Sequence, residues 1–589
     1  MSRPSTHLLE VELRVRAMTQ TPLPATLDLR MPVWTPGSYL IREYARHVQD
    51  FAAQRGGNQN ESTPLGWTKT NKNTWRITTQ NVPEIIVRYN VYANELTVRT
   101  NELHDRHAFW NNAATLMYVE GFLNAPSTVT VKPFGNWKIA TGLPQATGSN
   151  TEAGSQTFAA PNYDILYDSP FLVSDFKLFE FEVRGKPHRF VVDGEGNYDL
   201  ERLRADVPKI VEESAKMMNG LPYDNYTFLL MTHPTAGGGL EHLNSTALIA
   251  RRFSFAQEES YRGFLSLVAH EFFHLWNVKR IRPDALGAFD YNNENYTRLL
   301  WVAEGITSYY ENVLLRRAGL MKSDDYLKLI GNEIRALQST PGRLAMSVEE
   351  ASFDAWIEYY RPDENTVNSA ISYYDKGALL GLIFDLEIRR RTDGARSLDD
   401  VMRALYTDFA LRNRNYTPAD FQVVAEQVAG GSLDGFFNSY VRGRGELPFA
   451  ETLQAFGLTI NATTDTKTPA KAFFGANLTQ DGERLTVRTV PAGTPAYEQG
   501  INTGDQIVAL NGTRVTLTSL NERLGERRPG DEVTLTIFRL DELRTFPIKL
   551  GQNTQGDFRI TPVQNSTDAQ RKLYESWLGT PMKTVTSDE

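Results

Sequence analysis

Hydrophobic periodicity changes twice along this chain, and each change excludes a single continuous architecture. Up to about residue 175 apolar and polar residues alternate: in LEVELRV, Leu9, Val11, Leu13 and Val15 are separated by charges, and IIVRYNVY and STVTV behave similarly. A period of two buries one face of a β-strand, and Pro, Gly and Asn clusters supply the turns, so residues 1–175 are expected to form an antiparallel β domain. From DGEGNYDLERLRADVPKIVEESAKMMNG the period becomes helical and stays so to about residue 445. Ser397 with Asp400 reads as a capping box, Thr417 before Pro418 opens another helix, and Gly394 closes one. Residues 176–460 are therefore expected to be a mainly helical domain.

The small, polar stretch NATTDTKTPAKA, residues 461–472, reads as a linker. Short strands follow in RLTVRTV, DQIVALNG and EVTLTIFRL, with an Asn511–Gly512 turn, which predicts a separate β domain over residues 473–555. A tail, residues 556–589, holds one short helix in STDAQRKLYESWLG. The expected class is multidomain α+β, and 589 residues at roughly 150 per domain agree with three or four units.

Composition narrows the chemistry. A formal net charge of −9 gives no electrostatic reason for a nucleic-acid partner. With no cysteine in the chain, disulfides, thiolate metal sites and a cysteine nucleophile are excluded, so any metal must sit on histidine, carboxylate or water. The start, MSRPSTHLLEVELRVRAMTQ, lacks the apolar run of a signal peptide, and no stretch of some 18 apolar residues follows. A soluble, cytoplasmic protein without a membrane partner is expected.

Two of the nine histidines stand four positions apart in LVAHEFFHLWNVKR. Positions i and i+4 share one helical face, so His270 and His274 can present their imidazoles to one ion while Glu271 points about 100° away, toward a water. Leu267, Val268, Phe272, Phe273 and Leu275 make that helix a buried one. A catalytic zinc needs a third protein ligand and an open position. Glu304 in LLWVAEGITSYYENVLLRRAG is the strongest candidate, because a carboxylate on an apolar helical face is costly unless paired or metal-bound. Glu271 is then the general base. Zinc, one ion, is the default cofactor, although cobalt or manganese suits the same ligands.

With these residues in view, the chain resembles the glycyl-aminopeptidase family of metallopeptidases, number sixty-one in the usual peptidase classification. The matching stretches are PVWTPGSYLIREYAR, GGGLEH, HEFFHLWNVKRIRP, LLWVAEGITSYYE and SYYDKG. The resemblance implies an N-terminal β domain, a thermolysin-like catalytic domain and a C-terminal PDZ-like domain. It also implies zinc on His270, His274 and Glu304, Glu271 as base, and removal of small N-terminal residues, above all Gly and Ala, from peptides with a free N-terminus. Glu241 is set by it to bind the substrate's α-ammonium group, and Gly237, Gly238 and Gly239 to let a substrate backbone pair closely with an edge strand. Taken alone, the same glycines read as a turn and Glu241 as a surface charge. Tyr374 resembles the tyrosine that the alanyl-aminopeptidase family places before x-Lys-Gly, where its hydroxyl donates to the oxyanion; adjacent Tyr373 is the other candidate.

Where thermolysin has an aspartate that orients a zinc histidine, this chain has Ser308, so the partners that orient His270 and His274 are not legible. His233 reads as structural and His242 stays open, while Arg280 and Arg282 suit either a substrate carboxylate or the C-terminal turn of a helix. In the last domain FFGANL, residues 473–478, occupies the place of a carboxylate-binding loop, so C-terminal peptides are a second expected partner; a lid on the catalytic domain is the other reading. Two rival functions remain, a zinc endopeptidase and a non-catalytic peptide-binding scaffold.

Overall fold

The N-terminal 175 residues are organised in antiparallel sheets whose alternation buries one face. In the first, Leu8–Arg16 pairs with Glu84–Tyr92, which pairs in turn with Val48–Arg55. A second sheet runs Trp67–Asn71, Thr74–Thr78, Thr26–Arg30, Tyr118–Val119, and a third runs Lys138–Thr141, Phe171–Ser174, His107–Trp110, Asn101–Leu103. One core joins them, with Leu29, Ile77, Val87 and Phe171 fully buried. This computed structural model describes residues 1–17, 22–57, 63–146, 154–463, 472–552 and 557–582. Most of the expected linker, residues 464–471, lies outside the described residues.

The chain divides into two compact units, and the division does not follow the sequence order of the domains. The first holds Met1–Tyr296 with Tyr406–Tyr416; the second holds Thr297–Leu405 with Thr417–Glu589. In the first unit a five-stranded mixed sheet follows the β domain, in the order Lys177–Val183, Lys186–Asp193, Tyr226–His233, Ser245–Arg251, Gly238–Glu241. Its three central strands are parallel and nearly all buried, as unbroken apolar runs such as YTFLLMT require. The last strand, Gly238–Glu241, is antiparallel to its neighbour and forms the sheet edge. Helices Leu200–Met217 and Glu258–Phe273 belong to the same unit.

The second unit is helical around Ile306–Arg317, Ser323–Gln338 and Asp375–Arg391. Helix Pro418–Ala429 shows why its boundaries were legible: Thr417 and Asp420 form a capping box, Pro418 takes the first turn, and Gly430 closes it at φ +72°. The C-terminal β domain has its own core of Leu485, Ile507, Leu535, Ile537 and Ile548. Asn511 and Gly512, at φ +50° and +74°, form the expected turn between Gln506–Leu510 and Thr513–Arg514. The segment after that domain is integrated rather than trailing. Asp557–Pro562 pairs with Leu458–Thr463, and helix Asp568–Leu578 buries Tyr574, Trp577 and Leu578.

Candidate active site

Helix Glu258–Phe273 carries His270 and Glu271 in its last turn, and His274 stands at its C-cap. Val268 and Phe272 are fully buried, which holds the helix against the sheet. His270, Glu271 and His274 are 8%, 5% and 1% exposed, so a charge there must be balanced by an ion or a metal. The two imidazole rings meet edge to face with centroids 4.7 Å apart. His274 Nδ1 lies 2.7 Å from the Asn277 carbonyl, which only accepts; Nδ1 therefore donates, and Nε2 keeps its lone pair for a metal. The orienting partner that the sequence did not disclose is thus backbone three residues downstream. Val278, next in the chain, takes φ +147°, a strained value for a β-branched residue.

The three glycines before Glu241 differ in what they are for. A Cβ on Gly239 would fall 2.2 Å from Glu271 Oε1 and 2.4 Å from its Cγ, so the Glu271 side chain lies directly on this strand's backbone. Gly238 has open space but φ +133°, a conformation that L residues rarely adopt. Gly237 meets only the Ile249 carbonyl at 3.6 Å, an ordinary contact.

Glu241 is buried at 3% exposure, and one ligand atom each from Glu241, Glu271 and His274 all lie within 4.8 Å of one another. A turn from the β domain covers Glu241. Gly37, at φ +83°, would place a Cβ 2.5 Å from Glu241 Oε1 and 2.6 Å from Oε2.

Behind Glu241 sits a buried ion cluster. Asp168 accepts from Lys279 Nζ at 2.7 Å and Leu243 N–H at 2.8 Å, with His242 Nδ1 at 3.2 Å. Burial pushes the Asp168 carboxyl up, but Lys279 and His242 outweigh it and hold it down at about 2. Burial likewise opposes the Lys279 charge, yet Asp168 first and Glu241 second raise its pKa above the ordinary value. Lys279 therefore shares its charge between Asp168 and Glu241.

Arg280 points away from any such role, donating to the carbonyls of Leu275 and Pro222 at 2.8 Å and Leu243 at 3.2 Å. His233 Nδ1 accepts from the N–H groups of Ala236 at 2.7 Å and Thr235 at 3.1 Å, which closes the loop before the glycines.

The second unit holds the remaining candidates. Glu304, 2% exposed, lies in a π-helical turn, Trp301–Gly305, before helix Ile306–Arg317. Such a widened turn is uncommon and recurs at functional sites. A Cβ on Gly305 would fall 2.5 Å from Gly377 Cα and 2.7 Å from the Tyr373 carbonyl, so the Glu304 turn packs backbone to backbone against SYYDKG. Tyr373 is fully buried and Tyr374 half-buried, their rings 4.7 Å apart. Burial and then the Glu304 charge push the Tyr374 phenol well above its usual range, so it stays a donor at neutral pH.

Sequence reasoning missed Gly37, Asp168, Asn277 and Lys279. Gly37 stood in the quoted stretch PVWTPGSYLIREYAR, but only folding brings it to Glu241.

Residues 1–175 match the model of the peptidase M61 N-terminal domain, residues 263–380 that of the M61 glycyl aminopeptidase, and residues 472–550 that of the PDZ domain. The crystal structure of an aminopeptidase N family protein from Idiomarina loihiensis is 32% identical, covers 98% of this chain and 99% of its own, and superposes with a TM-score of 0.89. An M1 zinc metallopeptidase from Deinococcus radiodurans is 13% identical over 76% of this chain and 93% of its own, at a TM-score of 0.47. No curated protein sequence matches.

Proposed function

We propose, for a chain that belongs to the M61 glycyl aminopeptidase family and is a zinc metallopeptidase, that it removes small residues, Gly and Ala first, from the free N-terminus of peptides. His270, His274 and Glu304 hold one zinc ion in this reading; two buried imidazoles, one with its lone pair freed by the Asn277 carbonyl, and a buried carboxylate suit it chemically. When bound, zinc polarises the scissile carbonyl and brings the pKa of water near 7.

Glu271 takes the proton of the attacking water and returns it to the leaving amine. Glu241 opposes the α-ammonium group, which fixes cleavage one residue from the end. The Tyr374 phenol donates to the developing oxyanion; its partial exposure favours it over the buried Tyr373. Gly37 lying against Glu241 leaves little room beside the ammonium, which supports a small first side chain. The strand edge at Gly237, Gly238 and Gly239 receives the substrate backbone. In the PDZ domain the loop around Gly475, at φ +86°, receives C-terminal peptides.

The observation that carries this reading is the convergence of Glu241 and Glu271, both buried, on His274. The test is amine release from fluorogenic Gly and Ala amides, free and N-acetylated, by wild type, Glu271→Gln and chelated protein. Cleavage of free substrates alone, lost in both controls, is expected. Cleavage of acetylated substrates would make it an endopeptidase, and no cleavage by zinc-loaded protein would leave a binding scaffold.

A further inference from the structure

A second histidine and carboxylate cluster lies in the first unit, outside the residues used above. The hairpin formed by Asn101–Leu103 and His107–Trp110 turns tightly, with His104 N–H donating to the His107 carbonyl at 2.9 Å. That turn stacks the His104 and His107 rings at 4.2 Å between centroids and aims both Nε2 atoms at one carboxylate. Glu102 Oε2 is 2.9 Å from His107 Nε2 and 3.9 Å from His104 Nε2. On the other side of the His107 ring, Nδ1 meets Asp193 Oδ2 at 2.5 Å, at the end of strand Lys186–Asp193.

A neutral imidazole has one N–H, yet both nitrogens of His107 face carboxylates. Either the ring is a bracketed imidazolium, or Nδ1–H donates to Asp193 and Nε2 serves a cation. The second arrangement is the carboxylate–histidine–metal relay, in which the outer carboxylate sets the tautomer and strengthens the ligand. His104 differs, because its Nδ1 accepts from Arg106 N–H and the ring proton therefore sits on Nε2; binding an ion there requires the proton to move to Nδ1. The His104 Nδ1 lies 3.4 Å from Asp105 Oδ1, and donating there frees Nε2 at the cost of the 3.2 Å contact from Arg106 N–H. One ligand atom each from Glu102, His104 and His107 all lie within 4.8 Å of one another. Neighbouring donors around a tetrahedral zinc stand about 3.3 Å apart, so sub-ångström to ångström shifts of side chains close the set. With side-chain exposures of 20%, 29% and 7% the three groups are reachable by an ion and by the water that completes its shell.

We propose that Glu102, His104 and His107 form a second divalent-metal site, for zinc or a similar borderline ion, with Asp193 as the carboxylate that orients His107. The ion replaces the proton between His107 Nε2 and Glu102, and that proton leaves to solvent. Through Asp193 the site fastens the hairpin of the β domain to the mixed sheet, so its role is structural.

The test is metal stoichiometry on the full chain, stripped with chelator and dialysed against micromolar free zinc. Wild type is expected to hold two ions, His104→Ala one, the His270→Ala/His274→Ala double variant one, and the triple variant none. His104→Ala lies on a turn and should keep kcat/KM within about twofold, which separates this site from the catalytic one. Asp193→Asn should weaken the second ion about 10- to 100-fold, as outer carboxylates do. One ion in wild type and none in the double variant would overturn the proposal and leave a bracketed imidazolium. Should the double variant fail to fold, the count of two against one between wild type and His104→Ala decides the matter. The readout is independent of peptidase activity.

Discussion

Replacing Gly239 with alanine adds one methyl group, and the structure says where it goes. The new Cβ would stand 2.2, 2.3 and 2.4 Å from Oε1, Cδ and Cγ of Glu271. Non-bonded carbons rest at about 3.5–4.0 Å, so the overlap exceeds an ångström at three consecutive atoms. Turning the carboxylate alone cannot relieve it, because Cγ is involved; the whole side chain must swing off the strand or the strand must move. Overpacking of this kind costs about 1–3 kcal/mol of stability. Displacing a general base costs more in rate, since the base supplies about 10²–10⁴-fold and an ångström of misplacement about 10²-fold. Gly239→Ala is therefore expected to lower kcat/KM on a Gly amide by about 10²-fold or more, with zinc content unchanged. Gly237→Ala, whose Cβ meets only a carbonyl at 3.6 Å, should stay within about twofold. The assay is steady-state kinetics beside metal analysis and thermal denaturation. Wild-type kcat/KM in Gly239→Ala, or equal damage in Gly237→Ala, would refute the seating of Glu271 on this strand.

Three further outcomes are expected. Tyr374→Phe should lower kcat by about 10²–10³-fold with little change in KM, whereas Tyr373→Phe should act mainly on thermal stability; equal kinetic effects would sink the assignment. Asp168→Asn leaves the buried Lys279 charge with Glu241 alone and should cost about 3–5 kcal/mol in denaturant unfolding; a loss under about 1 kcal/mol would contradict the ion cluster. Burial lowers the Lys376 pKa from 10.5 to about 8, so between those values the folded chain binds fewer protons than the unfolded one and stability rises with pH. The penalty is complete below pH 8, and Lys376→Met should stabilise the chain by about 1–3 kcal/mol at pH 7, with the gain fading toward pH 10.5. A gain independent of pH would show that the methionine acts through packing instead.

The features legible in the sequence are those set by neighbours a few residues apart. The period of two in LEVELRV becomes the strand Leu8–Arg16, and the four-residue spacing of His270 and His274 puts both rings on one helix end. Thr417 and Gly430 bound their helix from either side. Each follows from backbone geometry that repeats within one or two turns. What only the tertiary structure decided joins residues far apart in sequence. Gly37 closes over Glu241, Asp168 binds Lys279, and His107 is bracketed by Glu102 and Asp193. No local pattern encodes those pairings, because each depends on how intervening strands and loops close. The meaning of GGG was divided in the same way: one glycine answers to backbone φ, and another to a glutamate more than thirty residues on that the fold lays across it.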